Sequence, residues 1–256
     1  MDELMAGGIK LKQHYVTPIC SPTRSSLMTG RYVIRTGGQH GVLGAQDETW
    51  IPEDESLLPE RLSALGYRTV ASGKWHLGSG HFKYGPTGRG FHEFFGTYAG
   101  AADHWEHISW FGGGKHRDAQ RRSQHEGVDS NGNGGAYYLP RPKRDVVDHH
   151  HDRWTDDGTH VHELILADNM THSTDAFTGA AVQMIMRHPE PELQPLFLFL
   201  PYTAPHWPTQ FYQHHADMNS HIPSQKRREF AGMITQLDEA IRTVVEAMKR
   251  RNMVGS

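Results

Sequence analysis

Cys20, Arg24, Lys74, His76 and His206 are side chains of types that can do chemistry: one thiol, two cations and two imidazoles. Taken singly, each has an ordinary explanation. A lone cysteine is most often a small buried hydrophobe. Arg24 alone reads as a surface salt-bridge partner, Lys74 and His76 as polar loop residues, and His206, between Pro205 and Trp207, as a turn-capping histidine. If they converge, the set joins one sulfur to cations and to imidazoles that carry protons. The most informative stretch is Cys20-Ser21-Pro22-Thr23-Arg24, followed by Leu27-Met28-Thr29-Gly30-Arg31-Tyr32.

The elements around these residues follow from punctuation and periodicity. Met1 to Gly8 reads as the end of a helix, so the chain is expected to open in the middle of a domain. Ile9 to Val16 is expected to form a strand. Pro18 and Pro22 mark a loop, and Ser25 to Arg31 a short helix opening just after Pro22. Leu57, Leu58, Leu62 and Leu65 repeat at helical spacing until Gly66, and Tyr67 to Ser72 is a short β-prone run. A helix feeding a strand is the rhythm of a parallel sheet. Gly73-Lys74-Trp75-His76 then falls at the strand's carboxyl end, where open α/β sheets hold their ligands. Asp175 to Arg187 is a helix. Leu196 to Leu200 is a continuous apolar run, expected of a strand buried on both faces, with His206 in the loop beyond it. Arg227 to Arg251 carries one apolar stripe, Phe230, Met233, Ile234, Leu237, Ile241, Val244, Val245 and Met248, which reads as core packing. Ala102 to about Asn169 is rich in glycine, proline and charge with little periodicity, and is expected to be an irregular excursion.

Composition narrows the function. The 256 residues carry a formal net charge of -3, which leaves no basic field to gather nucleic acid. One cysteine excludes an internal disulfide framework and a cysteine-rich zinc site. No apolar run is long enough to span a bilayer, and Met1-Asp2-Glu3-Leu4 does not begin a signal peptide. Twenty histidines point to proton transfer or metals only where they meet in space. His149-His150-His151 reads as a solvated loop rather than a metal site, and Arg141, Lys143 and Arg144 as a solvated stretch. Asn169-Met170-Thr171 matches the glycosylation acceptor pattern, which chance often produces.

The pattern C-x-P-x-R followed by Thr-Gly-Arg-Tyr resembles the signature of type I sulfatases, and Tyr15 to Gly37 looks most like their arylsulfatase B branch. The likeness continues in order through Leu58-Pro59, Leu65-Gly66-Tyr67 and Gly73-Lys74-Trp75-His76-Leu77-Gly78. It then runs through Arg89-Gly90-Phe91 with Phe95-Gly96, Ser173 to Ile185, Leu196 to His206 and Leu237-Asp238-Glu239-Ala240. Only the excursion lacks a counterpart. The resemblance implies an α/β, alkaline-phosphatase-like sandwich with a mostly parallel central sheet flanked by helices, incomplete at both ends. Residues 1–256 would be a partial amino-terminal catalytic domain, as in an incomplete gene model or partial sequence.

The roles it implies are specific. Cys20, oxidised to formylglycine by a formylglycine-generating enzyme, is the nucleophile at the amino end of its helix. Arg24 hydrogen-bonds the aldehyde hydrate, Lys74 binds a sulfate oxygen as a point charge, His76 is the base for the second hydroxyl, and His206 is the acid for the leaving oxygen. The family also holds a divalent cation, usually Ca2+, through an Asp-Asp pair, an Asp-Asn pair and the formylglycine itself. Of these ligands only Cys20 is expected here: the chain starts after the first pair and stops before the second, and a further family lysine falls beyond its end. Asp156-Asp157 lies in the excursion with no strand before it, so it is no replacement. The implied substrate is a sulfated carbohydrate or an aryl sulfate, and the implied location lysosomal or secreted. Two alternatives stay open: a catalytically inactive sulfatase-like fragment or pseudoenzyme, and a phosphoester hydrolase. Those phosphoester relatives generally use Ser or Thr, and Pro22 with Arg24 argues against them.

Overall fold

The computed structural model describes residues 1–43, 51–79, 81–110, 145–147, 150–154, 159–164, 171–189 and 193–254. The expected helix-to-strand unit is present as α3 (Leu58–Ala64) and β1 (Arg68–Lys74). Pro59 sits in the first turn of α3, where its missing N–H costs nothing, and the Glu60 carboxylate accepts from the Leu57 backbone N–H at 2.7 Å. β1 is flanked in parallel by β2 (Glu93–Thr97) and β7 (Leu196–Phe199). At the carboxyl end Gly73 and Gly96 stand in register. A Cβ on Gly96 would lie 1.9 Å from the Gly73 carbonyl oxygen, and one on Gly73 2.4 Å from that of Pro201. Three backbones can meet there only because neither residue has a side chain.

The sheet is five-stranded, in the order β6 (His160–Leu164), β5 (His150–Trp154), β2, β1, β7. Its outer part is an antiparallel hairpin, β5 and β6, laid against β2. β3 (Ile108–Trp110) and β4 (Asp145–Val147) pair separately. Each face of the sheet has a core. Met28, Ile51, Leu57, Trp75, Leu77, Phe91 and Phe94 fill one, with Phe197 and Phe199 against it. Ala181, Ile185, Val244 and Ala247 fill the other, with Leu196, Leu198 and Leu200 against it. The second core is covered by α4 (Ser173–Arg187) and α6 (Gln225–Arg250). The remaining described α-helices are α1 (Asp2–Gly7), α2 (Cys20–Thr29) and α5 (Gln213–Asp217). The mostly parallel α/β sheet flanked by helices is as expected.

Several expectations need correction. Ile9 to Val16 forms no strand, and Ile9, Leu11, Tyr15 and Val16 are exposed; no described strand lies beside the segment to supply a ladder. β7 does touch both cores, but its residues are half-buried, because it is the edge strand of the described sheet. The stripe on α6 is core along only part of its width. Met233 and Val244 are buried, whereas Phe230 and Ile234 are 47 % and 42 % exposed and border an open cleft beside Met1 and Leu4. The excursion carries β3 to β6, and His150-His151 lie in a strand rather than a solvated loop. His151 Nε2 bonds Glu93 Oε1 at 3.1 Å. Arg141, Lys143, Arg144, His149, Asp156, Asp157, Asn169 and Met170 lie outside the described residues.

Candidate active site

The residue before the cysteine makes a sharp turn. Ile19 has φ 62° and ψ 174°, a conformation almost confined to glycine and costing about 1–3 kcal/mol. That turn starts α2 at Cys20 itself, earlier than Pro22 predicts, so the cysteine occupies the first helical position. Free N–H groups and the helix dipole favour an anion there. One turn on, the Arg24 guanidinium donates to the carbonyl of Lys74 and, at 3.5 Å, to that of Trp75. It thereby ties α2 to the end of β1. Burial lowers its pKa to about 10 against the attraction of Cys20, so Arg24 stays charged at neutral pH.

Lys74 is the last residue of β1 and only 3 % exposed. Its ammonium donates to Cys20 Sγ at 3.0 Å, and burial lowers its pKa. His76 follows at φ 60°. Its backbone N–H donates to Tyr98 O at 3.1 Å, and its ring packs on Gly100, where a Cβ would lie 2.3 Å from Cε1. Ring Nε2 meets the Leu43 carbonyl at 2.6 Å. A carbonyl only accepts, so Nε2 carries the proton and Nδ1 keeps its lone pair. Burial lowers the His76 pKa and keeps the ring neutral. His206 stands on the loop after β7. Its Nδ1–H donates to Trp207 O at 2.7 Å, which leaves Nε2 for other work. Cys20, Arg24, Lys74, Tyr202, Thr203 and His206 line one cleft of about 610 Å³.

All five residues singled out in the sequence are therefore neighbours, with sulfur at the centre. Hydrogen bonding from His206 is the largest cause holding the Cys20 thiol down to about 4; His76 and Lys74 add to it, and partial burial opposes it. The folded, unmodified chain is expected to alkylate with iodoacetamide at a rate nearly flat from about pH 8 to about pH 5, where an ordinary thiol slows tenfold per unit. A tenfold fall per unit over that range would show that the thiolate is not held.

The framework behind His206 is polar and buried, and no motif or periodicity announces it. Asp103 and His104 fall at the start of the excursion, 6 % and 1 % exposed. His104 Nε2 donates to the His206 carbonyl and His172 Nε2 to that of Gln210, both at 3.2 Å. The two rings stack with centroids 4.9 Å apart and 3° between planes. Gln210 closes the clamp, accepting from His104 N and donating to Asp103 Oδ2, each at 2.7 Å. His172 Nδ1 accepts from Thr174 N and from the Gln236 amide, so its neutral tautomer is fully used. Burial, with His104 second, pushes the His172 pKa down to about 3, and burial also lowers His104 and His107.

A base with a depressed folded pKa contributes full stability above the unfolded value, near 6.5, and loses it as pH falls from there towards the folded one. For His172 that window runs from about 6.5 to about 3. Urea unfolding is expected to show stability falling below about pH 6, with His172 contributing up to about 1.4 kcal/mol per pH unit. His172→Gln should lose that contribution to the slope; an unchanged slope would rule out a buried neutral His172.

The residues around Cys20 do not fit a calcium ion. Arg24, Lys74, His76 and His206 offer cations and imidazoles rather than hard carboxylate oxygens. Among the described residues no group of three or more His, Cys, Asp or Glu side chains is placed to hold a metal.

The chain is similar to known proteins over almost its whole length. The family model described as Sulfatase matches residues 1–254. Arylsulfatase J of Mus musculus is 33% identical over 250 residues, 98% of this chain but 35% of that protein. Arylsulfatase A of Homo sapiens is 41% identical over 98 residues, 38% of this chain and 19% of its own length. Among solved structures, Ps i-CgsB in complex with k-i-k-neocarrahexaose superposes with a TM-score of 0.66 at 25% identity, over 92% of this chain and 46% of that one. The chain thus spans about a third of the length of Arylsulfatase J.

Proposed function

This chain belongs to the sulfatase family, and from that premise we propose that it hydrolyses sulfate esters through a formylglycine made from Cys20, acting on a sulfated sugar. The observation that carries the reading is the convergence on one sulfur: Lys74 Nζ donates to Cys20 Sγ at 3.0 Å, and His206 and His76 stand close enough to hold the thiol's pKa down. Cys20 Sγ stands in for the oxygens of an aldehyde hydrate, whose two geminal hydroxyls supply an attacking oxygen for sulfur and a second group able to re-form the carbonyl and expel sulfate.

The chain's own side chains do the rest. Lys74 draws a non-bridging sulfate oxygen towards Cys20 and spreads its charge, as a compact cation in a site screened from water does best. Arg24 holds the end of β1 against α2 and keeps the field positive. His206, protonated on Nε2 while Nδ1–H stays on Trp207 O, gives its proton to the bridging oxygen as the sulfur–oxygen bond breaks, so the product leaves as an alcohol. The attacking hydroxyl loses its proton to solvent ahead of the attack, which the surrounding cations favour; His76 Nδ1 then takes the proton of the second hydroxyl as the carbonyl re-forms and sulfate leaves, and water re-hydrates the aldehyde.

The sugar substrate draws support from the Ps i-CgsB complex with k-i-k-neocarrahexaose and from the arylsulfatase B-like run Tyr15 to Gly37. A lysosomal or secreted site of action is what the family resemblance implies; no described helix is long and apolar enough to cross a membrane. A second reading, a sulfatase-like protein without turnover, draws on the cleft at Cys20, whose described lining holds no carboxylate. Peptide mass spectrometry across Cys20, on protein from its native source, separates the two. An aldehyde there, with turnover of aryl sulfate over aryl phosphate, is the expected result. An unmodified thiol without turnover would sink the enzymatic reading.

A further inference from the structure

Position 21 is the open position of the C-x-P-x-R pattern, so the motif assigns the residue there no task. In the fold it is tied into the base. Ser21 is 3 % exposed. Its hydroxyl donates to the His76 carbonyl at 3.0 Å and accepts the Leu43 backbone N–H at 3.0 Å. The carbonyl of that same Leu43 takes the proton of His76 Nε2 at 2.6 Å. The three residues form a closed ring of hydrogen bonds with the serine hydroxyl as its hub, and it fixes His76 by both backbone and side chain.

We infer that Ser21 is a positioning residue for His76, which through Leu43 holds the imidazole in the tautomer whose Nδ1 lone pair serves the nucleophile. The inference rests on the reading of His76 as the base. Three observations converge on it. His76 has the left-handed φ of 60°, which a non-glycine residue keeps only where its surroundings over-determine it; the Ser21 bond to its carbonyl is one such constraint. His76 Nδ1 is buried with no hydrogen-bond partner of ordinary geometry among the described residues, as expected of an atom kept for a reacting proton. Finally, Ser21 and Cys20 share the first turn of α2, so one rigid turn sets the places of both nucleophile and base.

Without the hydroxyl, the Leu43 N–H loses its acceptor and the Leu43 carbonyl is freed to move. His76 Nε2 then has no fixed acceptor, and the tautomer with the proton on Nδ1, which has no lone pair to offer, becomes populated. The neighbouring cavity of about 340 Å³, lined by Ser21, Ser25, Thr36 and Leu43, has room for one more methyl group. Threonine therefore serves as the conservative variant.

The first readout requires no substrate. The full, unmodified chain is labelled with 15N-histidine, and the His76 ring nitrogens are assigned by their loss in His76→Gln. The expected spectrum at neutral pH has Nε2 protonated and Nδ1 bare. In Ser21→Ala a population with Nδ1 protonated appears, and in Ser21→Thr the original pattern returns. In the modified enzyme, Ser21→Ala should lower kcat for an aryl sulfate roughly tenfold, the equivalent of one neutral hydrogen bond, with KM little changed, and Ser21→Thr should restore it. A His76 tautomer unaltered in a folded Ser21→Ala protein overturns the inference, whether or not the enzyme turns over. A tautomer shift in Ser21→Ala, together with no turnover by the parent chain once Cys20 has been converted to the aldehyde, upholds the positioning role and overturns the catalytic reading instead.

Discussion

Cys20→Ser should turn continuous hydrolysis into a single stalled event. Serine supplies one hydroxyl where the aldehyde hydrate supplies two. The remaining oxygen still attacks sulfur, helped by Lys74 at the same position, and the alcohol still leaves. A sulfated serine results, and no second hydroxyl exists from which His76 can remove a proton. The variant must then wait for water to cleave the sulfate. The expected record is a burst of about one alcohol per protein, followed by steady turnover lower by about 10²–10⁴, the range that assisted proton transfer contributes. Rapid-quench product analysis, with intact mass showing retained sulfate on the peptide around position 20, checks it. Steady turnover by the serine variant at the parent rate would show that the hydrate chemistry is not used.

His206→Ala should separate substrates by the basicity of their leaving groups. An alkoxide from a sugar needs a proton as it departs, which the proposed mechanism assigns to His206; a nitrophenolate departs without one. The variant is expected to lose about 10²–10⁴ in kcat/KM on sugar sulfates and far less on nitrophenyl sulfate. The ring also helps hold the Cys20 pKa down, so some loss on both is expected from altered charge at the nucleophile. Equal losses on both substrate types would reassign His206 from leaving-group acid to a purely electrostatic or binding role.

Much of this site could be read from the sequence because its parts lie on regular elements with clear punctuation. The run from Leu57 to Gly66, then the β-prone residues to Ser72, located β1 and placed Lys74 at its carboxyl end; the apolar run at 196–200 did the same for the loop carrying His206. What stayed hidden has physical reasons. Asp103, His104, His172 and Gln210 are polar residues buried by mutual hydrogen bonding, and hydropathy patterns register burial only when it is apolar. The strand at His150–Trp154 reads His-His-Asp-Arg-Trp, which offers no apolar alternation to mark it. The stripe on α6 illustrates the reverse error: helical periodicity shows that a face is apolar without showing what covers it.

The parallel arrangement of β1 between β2 and β7 has a consequence in time. Cys20 meets Lys74 across 54 positions of chain, and His206 reaches the same sulfur only after β7 has docked on β1. On a ribosome, the roughly 190 residues that separate the sulfur from its last neighbour take on the order of 10–40 s to make. Throughout that interval the thiol stays open on nascent polypeptide, which is when the proposed conversion of Cys20 to formylglycine has its opportunity. The pocket closes around position 20 only once that opportunity has passed.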